Sequence, residues 1–158
     1  MENGELRIER KILIKFFISF FLVFIVDQFI KYIFLNGFEW DSKCISLTLA
    51  INKGVAFSMF AFLGELLKYI QLLLILGLGY LFYKEELLEK HPAISGVLFA
   101  AAISNLFDRF IRDGVVDYVY WHCGFDFAIF NFADVSIDFA VLMFAYYYFF
   151  GKISKEVA

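Results

Sequence analysis

Proline, histidine and cysteine are scarce in this chain of 158 residues, which holds one, two and two of them respectively. The histidines, His91 and His122, are too few for the ligand set of a zinc protease, and no HExxH motif is present. The cysteines, Cys44 and Cys123, form neither a CxxC motif nor a Cys/His cluster. The sequence therefore argues against metal catalysis, predicts no metal and no cofactor, and favours two unpaired thiols over a disulfide framework.

Charged residues are also few, at 20% of the chain, whereas hydrophobic residues make up 62% and aromatic residues 22%. Soluble domains are typically about 45–50% apolar, so this composition excludes an ordinary soluble domain. The mean hydropathy of +0.74 agrees. The chain is therefore predicted to lie in a membrane.

Four apolar stretches approach or reach the roughly 20 residues that cross a hydrocarbon core about 30 Å thick. They are residues 12–35, 62–83, 92–112 and 132–151. The first is not followed by a small-residue cleavage site, which favours an uncleaved helix, and Pro92 suits the start of the third. With no internal repeat or linker, the sequence predicts an all-α membrane protein with four transmembrane helices in one domain, residues 1–158.

The distribution of basic residues predicts the orientation, because an even number of spans puts both termini on one side. That side holds Arg7, Arg10, Lys11, Lys15, Lys84, Lys90, Lys152 and Lys155. The opposite side holds Lys43 and Lys53, with Arg109 and Arg112 at the border. By the positive-inside rule both termini are expected in the cytoplasm, so residues 36–61 and 113–131 face outward.

The first outward segment contains residues 44–51 (CISLTLAI), which alternate weakly and are rich in β-forming residues. A small extracytoplasmic β-containing segment is therefore expected between helices 1 and 2. Four amphipathic aromatic residues are expected at the same outer level, in the headgroup zone: Trp40, Tyr118, Tyr120 and Trp121.

Ionisable residues within the spans need a reason, because each costs about 2.5–3.5 kcal/mol at a helix centre on insertion scales. Asp27 and Lys31 are four residues apart, in the order that favours an ion pair on one helix face. A structural salt bridge explains both residues at least as well as a direct chemical role.

The third span carries a polar face at three- and four-residue spacings. Asp108 can pair with Arg112 on this face, which is again a structural explanation. This pair does not account for Asn105 and Arg109. They are expected to bind a neighbouring element or a substrate, Asn105 through its amide and Arg109 by charge-assisted hydrogen bonds.

Two further acids, Asp117 after the third span and Asp134 at the start of the fourth, are joined by a short outer connection that can bring them to one depth. Two close carboxyls share one proton, which supplies the base and the acid that peptide hydrolysis needs. The structural alternatives are a turn residue for Asp117 and a helix-capping acid for Asp134. The pattern also leaves Asp126 and Asp138 open as partners.

Five motifs in order resemble those of the lipoprotein signal peptidases (signal peptidase II). They are VDQFIK (26–31), NKGVAF (52–57), SNLFDR (104–109), VVDY (115–118) and FNFAD (130–134). Each motif is weak alone, but five in order over a four-span chain are highly specific. Two departures stand out: Ala101, Ala102, Ile103 and Ser104 replace small residues that are often glycine, which predicts looser packing, and Asp138 stands where a small or apolar residue is usual.

The resemblance implies an aspartyl endopeptidase of the bacterial inner membrane that removes signal peptides from prolipoproteins, on the N-terminal side of their diacylglyceryl-modified cysteine. It assigns catalysis to Asp117 and Asp134, near the outer face. The supporting or substrate-binding residues would be Asp27, Lys31, Asn52, Gly54, Asn105, Asp108, Arg109 and Asn131. Contact with membrane lipid and inhibition by globomycin are expected, and a nucleic-acid partner is not.

The outward segment 36–61 is expected to cover a bound signal peptide. Two rival functions remain, a proton-coupled or ion-conducting protein and a non-catalytic assembly or lipid-binding subunit. A relay needs polar stations at successive depths, whereas these acids gather at one end and the second span offers only Gln71. Rhomboid-like serine chemistry lacks a placed Ser/His pair, and LGLGY (76–80) lacks the glycine-aspartate motif of presenilin-like proteases.

Overall fold

The computed structural model describes the backbone of residues 2–54 and 63–156 and the side chains of residues 9–54 and 63–150. In chain order its elements are α1 (Glu2–Leu35), β1 (Trp40–Asp41), β2 (Ile45–Asn52), α2 (Leu66–Lys84), α3 (Leu87–Lys90), α4 (Pro92–Arg112), β3 (Val115–Trp121) and α5 (Phe132–Glu156). The sheet lies where α1 and α4 end and α5 begins, and we call this the sheet end of the helix bundle.

Four helical segments within the described residues are long and apolar enough to cross a membrane. They are Glu9–Leu35, Leu66–Lys84, Pro92–Arg112 and Phe132–Phe150. These segments confirm the four predicted spans. The second begins after Gly64, whose φ of +50° is a left-handed conformation that a continuous helix does not adopt.

Helix α4 is the centre of the bundle. Of its apolar window 61% is buried, against 11–17% in the other three, and α4 packs on α1, α2 and α5. Large apolar side chains on the other helices point outward, as Leu22, Leu73 and Leu142 do. This distribution fits a bundle whose outer surface contacts lipid and whose interior is formed around one central helix.

Small residues allow α4 to approach α1 closely. A Cβ atom added at Gly96 would overlap with Ser19 Oγ and with the carbonyl oxygen of Phe16 on α1. Ala101 is fully buried beside Val23. The looser packing expected from the departures at 101–104 is therefore not observed, because alanine still permits close helix contact.

We predict that Gly96→Ala destabilises the protein, whereas Gly77→Ala does not. The added methyl group at position 96 meets α1 backbone, and separating two packed helices to relieve such overpacking typically costs about 1–3 kcal/mol. At Gly77 an added Cβ has no neighbour within 4 Å. Thermal unfolding in detergent measures both variants, and an equal midpoint for the two would contradict the close approach at Gly96.

The sheet has three antiparallel strands in the order β1-β2-β3. Ile45 pairs with Trp121 and Asn52 pairs with Val115, with a one-residue shift in register between Leu47 and Ala50. The predicted strand between the first two spans is confirmed. The prediction missed β3, because four consecutive buried residues begin this strand and hide the alternation that a half-exposed strand shows.

Cys44 and Cys123 form a disulfide, with their Cα atoms 4.3 Å apart, so the expectation of two unpaired thiols was wrong. The bridge joins the start of β2 to the residues after β3, beside the hydrogen bond from His122 N to Cys44 O (3.0 Å). The 79-residue separation hid this pairing, since only the register of β2 on β3 brings the two residues together.

The aromatic residues expected at the headgroup level divide into two groups. Trp40 and Trp121 are exposed and Tyr120 is half-buried, and their interfacial position stays a prediction. Tyr118 is buried instead, stacked on Phe34 with ring centroids 4.3 Å apart, and its hydroxyl accepts the Phe132 N–H (2.9 Å). Tyr118 therefore fixes the beginning of α5 against β3.

Candidate active site

A cavity of about 650 Å³ opens at the sheet end between α2, α4, α5 and residues 127–130. Its walls are mainly apolar, and its polar lining includes five of the residues singled out in the sequence: Asn52, Asn105, Arg109, Asp117 and Asp134. Residues distant in sequence, from β2, α4, β3 and α5, therefore meet at one site.

Asp117 lies on β3 and is only 2% exposed. Its Oδ2 accepts a hydrogen bond from Asn52 Nδ2 (2.9 Å), and its Oδ1 accepts one from Asn131 Nδ2 (2.7 Å). The interpretation of Asp117 as a turn residue is therefore wrong. The carboxyl group is held between two amides at the cavity wall.

Asp134 is in the first turn of α5, where its Oδ1 accepts a hydrogen bond from Asn105 Nδ2 (2.8 Å). Its Oδ2 accepts the Asn131 N–H (3.0 Å), while Asn131 Oδ1 accepts the Asp134 N–H (2.9 Å). This reciprocal arrangement is a capping box at the helix start. The helix-capping interpretation of Asp134 is thus confirmed, and the same carboxyl group also lines the cavity.

Asn131 connects the two acids. Besides capping α5 beside Asp134, its Nδ2 lies within hydrogen-bonding distance of Asp117, of Asn105 Oδ1 (3.1 Å) and of Val116 O (3.3 Å). Because Asn131 Oδ1 already accepts the Asp134 N–H, its amide presents donors, not an acceptor, to Asp117. One side chain thus fixes the position of both carboxyl groups.

A fully buried ion cluster lies beneath these acids. Lys31 Nζ is 2.7 Å from Asp27 Oδ2 and 2.7 Å from Asp108 Oδ2, and the predicted Asp27–Lys31 pair is confirmed. Arg112 pairs with Asp108, as also predicted. The same lysine donates to Asn105 Oδ1 (2.8 Å), which leaves the Asn105 amide hydrogens for Asp134.

The two acids of this cluster also hold the backbone next to each candidate catalytic aspartate. Asp108 Oδ2 accepts the N–H of Val116 (3.1 Å), the residue before Asp117. Asp27 Oδ1 accepts the N–H of Ala133 (2.9 Å), the residue before Asp134. Buried charge on α1 and α4 therefore determines where β3 and α5 place their acids.

Arg109 and Gly54 form a separate contact at the edge of the site. The guanidinium Nη2 of Arg109 donates to the Gly54 carbonyl oxygen, and Gly54 N donates to Asn52 Oδ1 (3.0 Å). The second bond directs the Asn52 amide hydrogens towards Asp117. Within the described residues, Arg109 Nε is buried without a hydrogen-bond partner. Residues 55–57 of the NKGVAF motif lie outside the described residues. They belong to the segment 36–61 that is expected to cover the substrate, so that prediction lies partly outside the described residues.

The alternative acids, Asp126 and Asp138, occupy different positions. Asp126 Oδ1 accepts a hydrogen bond from the Tyr120 hydroxyl (2.8 Å) at an exposed place, and it does not line the cavity. Asp138 does line the cavity, one helical turn after Asp134. Neither of them bonds to Asn131 or Asn105 in the described part of the chain, so the geometry favours pairing Asp117 with Asp134.

Ser104 and Gln28 were not predicted to take part in the site. Ser104 Oγ donates to Asp27 Oδ2 (2.7 Å), and Gln28 Nε2 donates to Asp108 Oδ1 (2.9 Å). Both complete the hydrogen bonding of the buried acids. Gln28 is part of the VDQFIK motif, whereas Ser104 occupies one of the positions where small residues are usual.

Burial is the largest cause that raises the pKa of Asp117, which reaches about 6 from an ordinary 3.8. The hydrogen bonds from Asn52 and Asn131 oppose this rise, and the negative charge of Asp134 adds to it. A carboxyl group with such a pKa exchanges its proton close to neutral pH, as a general acid or base must.

This raised pKa predicts the pH dependence of stability. The folded state binds the Asp117 proton more tightly than the unfolded state, so the contribution of this carboxyl group to stability is fully present below pH 3.8 and is lost as pH rises towards and through about 6. The corresponding loss is about 3 kcal/mol. Thermal unfolding of the wild type between about pH 4 and pH 7.5 is expected to show this fall, and Asp117→Asn is expected to reduce it. Equal pH slopes in both proteins would assign the effect to other groups.

Similarity to known proteins identifies the family. A model of the family described as signal peptidase (SPase) II matches residues 19–150. The chain belongs to the signal peptidase II family. It is 56% identical to a lipoprotein signal peptidase of Sulfurimonas denitrificans over 135 residues, covering 85% of this chain and 87% of the relative. It is 52% identical to one of Helicobacter pylori over 153 residues, covering 95% and 98% respectively.

Solved structures agree with the fold. A bacterial membrane enzyme determined at 2.3 Å superposes with a TM-score of 0.70 at 25% identity, covering 82% of this chain and 84% of that one. A second, determined at 1.9 Å, gives a TM-score of 0.68 at 24% identity, covering 85% and 92%, and supports the fold alone. The resemblance drawn from the five motifs is confirmed, and the chain is a multi-pass membrane peptidase of this family.

Proposed function

We propose that this signal peptidase II family member removes the signal peptide from lipid-modified prolipoproteins in the bacterial inner membrane. Both termini lie in the cytoplasm and the sheet end lies at the outer face, in accord with the eight basic residues on the side of the termini. Cleavage takes place on the N-terminal side of the diacylglyceryl cysteine. The observation that carries the proposal is that Asp117 and Asp134 share Asn131 at the wall of one largely apolar cavity.

The proposed chemistry uses one ionised and one protonated carboxyl group. The ionised aspartate removes a proton from water as the water oxygen attacks the scissile carbonyl carbon, and the protonated aspartate donates its proton to the carbonyl oxygen. The tetrahedral intermediate then collapses and the C–N bond breaks. The proton taken from water passes to the leaving amine, and a hydroxyl proton of the intermediate returns to the aspartate that protonated the carbonyl oxygen, which restores the starting pair. The products are a signal peptide with a free carboxyl group and a lipoprotein with an N-terminal cysteine.

The surrounding residues are assigned to positioning and substrate binding. Asn52, Asn105 and Asn131 orient the two carboxyl groups, and Arg109 with Gly54 forms the edge of the cavity. Asp27, Lys31 and Asp108 support the backbone on which the acids lie. The lipid chains of the substrate remain in the membrane beside the phenylalanine-rich helices, and the segment 36–61 covers the bound peptide. This cover excludes bulk water and strengthens the electrostatics of the pair.

The test is cleavage of a diacylglyceryl-modified prolipoprotein by purified protein in detergent, followed by gel shift and mass spectrometry. We expect a new N-terminal cysteine that retains its lipid, inhibition by globomycin, and no effect of a metal chelator, because the mechanism needs only carboxyl groups and water. The same prolipoprotein without the lipid is the control substrate and is expected to be cleaved poorly. No cleavage by well-folded protein, or cleavage at another bond, would overturn the proposal.

A further inference from the structure

Asp138 is a cavity residue that the proposed chemistry does not use. It lies on α5 four residues after Asp134, which places it about 6 Å further from the sheet end on the same helix face. Among the described residues, no hydrogen-bond or ion-pair partner of its carboxyl group is found. A carboxyl group in a membrane span is costly, so a free one facing a cavity calls for a ligand.

Gln71 lines the same cavity from α2. Its Nε2 donates to the carbonyl oxygen of Ala102 on α4 (3.3 Å), which leaves its Oε1 as an acceptor. Gln71 is five residues beyond the start of α2 and Asp138 six residues beyond the start of α5, so each lies about 8–9 Å along its own helix from the helix start. The cavity thus has two hydrogen-bond acceptors on different walls, each more than one helical turn from the start of its helix.

A substrate peptide needs such acceptors. Its backbone must leave the helical conformation near the scissile bond before the acids can reach it, and an extended chain at membrane depth has N–H groups with no partner in lipid. Each unpaired group is expensive there. Acceptors on the cavity wall below the catalytic pair would satisfy these groups and hold the chain in an extended conformation.

We propose that Asp138, assisted by Gln71, accepts backbone N–H groups of the extended signal peptide next to the scissile bond and is a substrate-positioning residue. This inference rests on the proposed function and on the orientation assigned with it, in which the signal peptide runs towards the cytoplasm from the scissile bond. The extended chain advances about 3.3 Å per residue, so the 6 Å step from Asp134 to Asp138 corresponds to about two residues. Asp138 therefore meets the amide about two residues before the cleaved bond.

The first test compares steady-state kinetics of three variants on a lipid-modified prolipoprotein peptide. Asp138→Leu, which keeps the side-chain size but has no acceptor, is expected to raise KM about tenfold and to change kcat less than about twofold. Asp138→Asn keeps an acceptor oxygen and is expected to recover most of the loss. Phe139→Leu, a change of an exposed neighbour that does not line the cavity, is the matched control. An Asp138→Leu protein with wild-type KM, or no recovery in Asp138→Asn, would overturn the inference.

A second test removes the donor from the substrate. Peptides are made with one amide replaced by an ester, which deletes a single N–H, at the first, second or third position before the scissile bond. For the wild type, the ester at about the second position is expected to lower kcat/KM about tenfold. For Asp138→Leu, the same ester should cause no further loss, because the partner is already gone. Independent, additive losses would overturn the inference even if Asp138→Leu were less stable.

The two proposals fail in different ways. Absence of cleavage by folded wild-type protein would refute the peptidase assignment itself. Normal cleavage by the wild type, together with an Asp138→Leu variant that is indistinguishable from it, would refute only the substrate-positioning role.

Discussion

Asp117→Asn and Asp134→Asn are each expected to lower cleavage of a lipid-modified prolipoprotein by about 10³-fold, with normal amounts of folded protein in the membrane. Asparagine keeps the size of aspartate but neither takes up nor releases a proton. The measurement is single-turnover cleavage by purified protein in detergent. Retention of cleavage in either variant would remove that aspartate from the mechanism.

Asp126→Asn is the matched control for these variants. It also neutralises an acid near the sheet end, but at an exposed site that bonds to Tyr120 and does not line the cavity. Its activity is expected to equal that of the wild type. A loss comparable with that of Asp117→Asn would mean that the general charge of the outer segment matters, and not the pair.

The double variant Asp117→Asn/Asp134→Asn gives a sharper test of joint action. Groups that act as one unit are strongly non-additive, so the double variant should be no less active than either single variant. Independent roles would instead multiply the two losses. Joint action is expected because Asn131 contacts both carboxyl groups and the charge of Asp134 raises the pKa of Asp117.

Features that depend on local periodicity could be predicted from the sequence. The four spans follow from the length of apolar stretches, and the Asp27–Lys31 and Asp108–Arg112 pairs follow from four-residue spacing on a helix. The short connection between their elements made Asp117 and Asp134 one possible pair, but the pattern left Asp126 and Asp138 open, and only the motif resemblance assigned catalysis to Asp117 and Asp134. In each case the partners are close in the chain or confined to one depth.

Features that depend on long-range register could not be predicted. The contact of Lys31 with Asp108 needs the crossing of α1 and α4, and the Cys44–Cys123 bridge needs the pairing of β2 with β3. No spacing along the chain encodes either geometry. The same is true of the backbone anchors, in which Asp108 holds Val116 and thereby determines the position of Asp117.

The orientation of the three asparagines illustrates why this register matters for the site. Each amide oxygen is occupied by a donor from elsewhere: Gly54 N for Asn52, Lys31 Nζ for Asn105 and Asp134 N for Asn131. Each amide nitrogen consequently donates to an aspartate. The direction in which each amide donates to a carboxyl group is therefore determined by a second residue further from the cavity. One of these second residues, Lys31, is fully buried.

Lys31→Met is therefore expected to be strongly destabilising. The side chains of Lys31, Asp27 and Asp108 are all fully buried. Removing one member of a buried ion cluster leaves uncompensated charge, which typically costs about 3–5 kcal/mol of stability. Asp108 keeps Arg112, so most of the penalty falls on Asp27. We expect a smaller amount of protein in the membrane and a lower thermal midpoint in detergent. Cleavage should fall at least in proportion to the amount of folded protein, and further because Lys31 no longer orients Asn105.

Two further variants make this prediction specific. Lys90→Met removes the lysine of an exposed pair with Glu86 (3.0 Å), and its effect should stay within about 0.5 kcal/mol, as for other surface ion pairs. The double variant Lys31→Met/Asp27→Asn removes the uncompensated charge, and the amide oxygen of the new asparagine still accepts the Ala133 N–H. This double variant should therefore regain more than half of the stability that Lys31→Met loses. If Lys31→Met were as stable as Lys90→Met, or if the second change gave no recovery, the buried cluster would not be what supports the two acids.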